Sequence, residues 1–117
     1  EEDPQSRLSV SNNAHWGILR GLLGMAPRLL VLGGGGYNPW SVGRLWTGVW
    51  ATLNRFEIPD RLPQDAEIVL RGLAFPGNSR GRNPPEHWFT TLQDAPRYGP
   101  IRTEVRRRVR VLKERGL

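Results

Sequence analysis

Tyr37 directly follows four consecutive glycines, at positions 33 to 36. Such a run removes every Cβ from the backbone leading to a phenol, so the stretch can take positive φ and admit another molecule at close range. A phenol is protonated at neutral pH and can donate a hydrogen bond to an oxygen that turns negative when a carbonyl is attacked. The pattern predicts a walled ligand channel with Tyr37 at its end. The competing reading is a packed tyrosine with its hydroxyl at the surface.

Other chemistries fit the residues less well. Glycines ahead of a helix could hold an anion on backbone amides. However, no Gly-Lys-Ser/Thr follows the run, and Asn38 stands where a dinucleotide fingerprint needs its third glycine. His15 and His87 are the only histidines, far apart in the chain, and no H-x-x-x-H, D-x-H or H-E-x-x-H occurs. A zinc site with three protein ligands cannot be written from local motifs, and both histidines read as structural. No serine sits in a Gly-x-Ser-x-Gly elbow, and the lack of cysteine removes disulfides and thiolate metal sites.

The elements that would position Tyr37 follow from hydrophobic spacing. Trp16, Leu19, Leu22, Leu23 and Met25 fit one helical face, with Ser11, Asn12 and Asn13 as cap candidates and Pro27 as the stop. Residues 29–32 are continuously apolar, as in a strand buried on both faces. Asn38 and Pro39 form a cap and first-turn pair for a second helix carrying Val42, Leu45, Trp46, Val49, Trp50 and Leu53, closed by Asn54. A short helix is predicted over 65–73, loop over 74–86, and a basic C-terminal helix over 101–114. That last helix has a seam of Val105, Val109 and Leu112 and oppositely charged pairs Glu104–Arg108 and Arg110–Glu114. The order helix, buried strand, glycine turn, helix predicts an α/β fold. A lone strand leaves its backbone unsatisfied, so the sheet should be completed by missing chain or by a partner copy.

Composition narrows the classes further. The 117 residues allow one domain at most, with 38% apolar residues and 14 glycines and 10 prolines breaking the chain into short elements. No apolar window reaches the roughly 18 residues of a membrane span. The opening EEDPQSR is unlike a secretory signal, so the expected location is cytoplasmic. The net charge of +6 is carried almost wholly by arginine, Lys113 being the one lysine. Either this marks a nucleic-acid partner or it is a surface bias; only the tail clusters its charge, and its seam and acidic partners favour a docked surface helix.

The segments LSVSNNAHW, LLVLGGGGYNPWSVGRLWT and NPPEHWFTTL resemble the C-terminal part of the histone deacetylase family, in particular its bacterial acetoin utilisation and acetylpolyamine amidohydrolase branch. The most specific element is GGGGY followed seven residues later by Arg44, with Trp46 beyond. The resemblance covers the chain from about Leu8 onward. It implies the C-terminal portion of a three-layer, arginase-like parallel-sheet domain, a helix-strand-helix core with further helices, so that residues 1–117 form a single partial domain. It implies a zinc-dependent hydrolase acting on acetyl-lysine or other acetylated amines. Tyr37 matches the tyrosine that stabilises the oxyanion, and Gly34, Gly35 and Gly36 match the glycine wall of the acyl tunnel. The family's zinc ligands lie upstream; the last aspartate should fall just before Glu1, and Asp3 looks like a later loop residue. The chain is thus expected to bind no metal by itself and to be inactive alone.

Two rivals follow from the residues. One is a non-catalytic, self-associating module that buries an exposed sheet edge and a helix face of Trp40, Trp46 and Trp50. The other is nucleic-acid binding through the arginine tail, which the docked-helix reading of that tail disfavours.

Overall fold

The computed structural model describes residues 10–34, 36–75, 83–96 and 98–116. Five helices follow in order: α1 (Asn12–Leu22), α2 (Pro39–Leu53), α3 (Gln64–Gly72), α4 (His87–Thr90) and α5 (Thr103–Glu114). α1 packs on α2, and α4 packs on both α2 and α3.

The helix ends follow their local chemistry. α1 starts after Ser11 and stops before Pro27, with Gly24 at φ +85° turning the chain away. At α2, the Asn38 side chain accepts from the N–H groups of Trp40 and Ser41, both at 3.1 Å, and Pro39 occupies the first turn where its missing N–H costs nothing. α2 closes in a Schellman turn: the Phe56 N–H bonds Ala51 O and the Arg55 N–H bonds Thr52 O. Arg55 takes φ +58° there, where glycine is usual.

The core is built on indoles. Trp16, Leu19, Val49 and Leu92 are buried together, with Leu45, Trp46, Ile58 and Leu62 against them. Trp16 Nε1 donates to Leu45 O at 3.0 Å, so the indole is buried without an orphaned donor. Its ring lies directly over Gly48, where a Cβ would come within 2.0 Å of Trp16 Cζ2. A second cluster joins Trp40 to Trp88 at 6.2 Å between ring centroids and to Phe89 edge-on at 6.5 Å. Trp40 Nε1 donates to Leu70 O at 2.8 Å, which ties α2 to α3.

Three expectations are corrected. The α/β fold, and with it the three-layer parallel sheet, does not form: the described residues contain helices and connections but no strand. Residues 29–32 are extended, yet among the described residues no strand neighbours them, and a single strand has nothing to ladder with. Their side chains are also not buried on both faces, since Leu30 and Leu32 are 79% and 78% exposed. The tryptophan face of α2 is largely covered within the chain: Trp40 is buried and Trp46 half-buried, leaving Trp50 exposed beside Phe56. Finally, α5 is not docked; every described residue from 101 to 116 is exposed, so the seam of Val105, Val109 and Leu112 faces solvent. Among the described residues, no helix is long and apolar enough to cross a membrane.

Candidate active site

The glycine segment lies along an apolar groove of about 550 Å³, in the size range of small-molecule sites. Ile18 and Leu22 of α1 form one side, Val42 and Leu45 of α2 the other, and the extended residues 29–32 run between them. Gly34 and Gly36 line this groove. Gly35 lies outside the described residues, as does Asp3. Tyr37 is 56% exposed and stands beside the groove without lining it.

The described glycines of the run differ in their surroundings. A Cβ on Gly33 would fall 2.7 Å from Trp46 Cζ2, so the backbone lies flat on that indole. Gly36 sits at φ +79° with Val42 Cγ2 only 2.9 Å from where its Cβ would be. Gly34 meets nothing within 4 Å and borders open space. The turn at Gly36 swings the chain into Tyr37 and the Asn38 cap, so the phenol is anchored one residue from a well-formed helix start. That cap already engages the amides of Trp40 and Ser41, two of the donors that an anion at this helix end would need.

The floor of the groove ends in a buried polar clasp. The Arg44 and Asp94 side chains are 2% and 4% exposed, with Nη1 3.1 Å from Oδ1. Arg44 also donates from Nε to Thr91 O at 2.7 Å and from Nη2 to Gln93 O at 3.0 Å. Asp94 Oδ2 accepts the Asn12 N–H at 2.9 Å, and the Asp94 N–H returns a bond to Asn12 Oδ1 at 2.9 Å. Asn12 Nδ2 donates to Leu92 O, and Asn13 Nδ2 to Asp94 O. A carboxylate thus caps the first turn of α1, where the helix dipole favours it, while a guanidinium from the middle of α2 holds that carboxylate in place. Burial pushes the Arg44 guanidinium below its ordinary range, and Asp94 works against that shift. His87 lies at the edge of the clasp, Nε2 4.0 Å from Asp94 Oδ1. Its pKa is lowered by burial first and by Arg44 second, with Asp94 opposing both.

The sequence reading singled out Arg44 by resemblance but missed its partner Asp94, and with it the placing of Asn12 and His87 around that carboxylate. A signal was available. Arg44 is spaced four residues from both Trp40 and Gly48, which places a charge on the buried stripe of α2, and a buried charge needs a partner. Zinc is a different matter: among the described residues, no group of three or more His, Cys, Asp or Glu side chains could hold a metal ion. His15 is exposed with Nδ1 3.2 Å from Ser11 O, and Asp94 is committed to Arg44 and α1. These residues do not fit the zinc that the resemblance implies. No family model, curated protein or solved structure matches the chain.

Proposed function

We propose that this chain supplies the phenol and the glycine wall of a deacetylase acting on acetyl-lysine or other acetylated amines, with any metal ligands provided by polypeptide outside the described residues. The observation that carries the reading is the succession of apolar groove residues at 29–32, the wall glycines Gly34 and Gly36, and the exposed phenol of Tyr37. Gly34 and Gly36 line a groove of acyl-chain character, and Tyr37 follows them at the groove's side. Attack on an acetamide carbonyl puts negative charge on its oxygen, and the Tyr37 O–H is the donor available to receive that charge. Removing the Cβ atoms at 34 and 36 keeps the path to the phenol open to a linear side chain. The residue pattern GGGGY with Arg44 seven positions on supports the same reading.

The test is acetate release from an acetyl-lysine peptide by the protein expressed from its full reading frame. The expected result is release that falls about 10²- to 10³-fold in Tyr37→Phe, the usual cost of losing one oxyanion donor. No release from that protein, or release unchanged in the variant, overturns the proposal.

A further inference from the structure

The seam of α5 is uncovered, and the charges beside it bear on what could cover it. Val105, Val109 and Leu112 recur at four- and three-residue spacing, as at the a and d positions of a heptad, and are 45%, 45% and 48% exposed. In that register Arg106 and Lys113 run along one border of the seam, and Arg108 and Arg115 along the other. Both acidic residues of the helix stand behind these borders. Glu114 lies on the far side, and Glu104 meets Arg108 at 2.5 Å in an exposed i,i+4 pair that contributes little. The rim of the seam is thus cationic throughout. A helix of 12 residues with no packed face is also marginal in water, so its own order calls for a partner.

The same pattern disfavours three covers. A second α5 would set cations against cations in either direction, because the positions that face each other across parallel or antiparallel helices are all basic. A nucleic acid would take up the arginines, but phosphates would leave the aliphatic side chains between them uncovered. A bilayer surface calls for a wider apolar face with aromatic anchors, and this seam offers two valines and a leucine.

We propose that α5 is a docking helix for an amphipathic helix of a partner protein whose own apolar seam is bordered by aspartate and glutamate. Aliphatic side chains of the two helices interdigitate along residues 105–112, and the partner's carboxylates meet Arg106, Arg108 and Lys113. The charges set partner choice and association rate, while the seam supplies the contact that salt does not screen. No residue of α5 lines the groove beside Tyr37, so the surface is independent of the deacetylase reading, and its test reads peptide binding rather than acetate.

The test titrates the protein against two three-heptad helical peptides with leucine at every a and d position, one carrying glutamate and the other lysine at e and g. The glutamate peptide should bind and the lysine peptide should not. Val105→Asn with Val109→Asn should weaken that binding at least about tenfold. The melting temperature should stay unchanged, since asparagine matches valine in helix propensity and both sites are exposed. Arg106→Glu with Lys113→Glu should weaken binding of the glutamate peptide and strengthen that of the lysine peptide. Equal binding of the two peptides, no binding of the glutamate peptide, or binding unmoved by the asparagine pair would overturn the proposal. So would tighter binding to a DNA duplex, an RNA hairpin or a phosphatidylglycerol vesicle than to the glutamate peptide.

Discussion

The clasp at Arg44 and the segment at 28–37 border the same groove and are built on opposite principles. In the clasp, two charged side chains are removed from water and surrounded by partners: Arg44 reaches two carbonyls and a carboxylate, and Asp94 exchanges bonds with Asn12 in both directions. In the segment, seven residues of main chain make no hydrogen bond among the described residues, and the leucines stand in solvent. The first region joins the start of α1, the middle of α2 and the 91–94 turn, which are far apart in sequence, so it holds the fold. The second touches the core through Val31 and Gly33 and otherwise offers backbone, glycine and a phenol outward. Stability and function should therefore separate by position.

The sharpest way to break that contrast is to open the clasp. Asp94→Ala leaves the Arg44 guanidinium buried without its anion and frees the first turn of α1, and should cost about 3–5 kcal/mol in urea unfolding. A cost below about 1 kcal/mol would mean the clasp is not what holds α1. Gly48→Ala is expected to cost about 1–3 kcal/mol, because the new methyl would enter the Trp16 ring and neither helix can yield without losing the indole's bond to Leu45. Arg55→Gly runs in the other direction. It relieves a left-handed residue at the end of α2 and should stabilise by about 0.5–1 kcal/mol.

A pH series sharpens the comparison further. His87 has a folded-state pKa below its ordinary 6.5, so below that pH the unfolded chain binds a proton that the folded chain refuses. Stability should then fall as pH drops from 6.5 through the folded value, and be unaffected by this group above it. His87→Gln should flatten the slope in that window; an unchanged slope would remove His87 from the clasp. The smallest effect belongs to the tail. Ending the chain after Pro100 should leave the melting temperature nearly unchanged, since every described residue beyond is exposed.

The helices were legible because their signals are local. Asn38 with Pro39 fixed the start of α2, Asn54 its close, and the spacing of Trp16, Leu19 and Leu22 placed α1. The sheet was misread because a continuous apolar run at 29–32 says only that the side chains seek cover. It cannot say whether the same chain provides it, and here the other described elements are helices that offer no ladder. The docking of α5 failed for a related reason: a seam of three aliphatic residues is a necessary feature of a packed helix, not a sufficient one. The phenol and glycines were singled out from composition and order alone. The clasp was missed because Asn12, Arg44, His87 and Asp94 meet across as many as 82 residues, and no spacing rule links them.

The most direct test measures two quantities on Tyr37→Phe in the protein from its full reading frame: kcat for acetate release and the melting temperature. The predicted result is a kcat lower by about two orders of magnitude with the melting temperature unchanged, because a side chain 56% exposed beside the groove carries little packing. An unchanged kcat, or a loss of activity matched by a fall in melting temperature, would contradict the account.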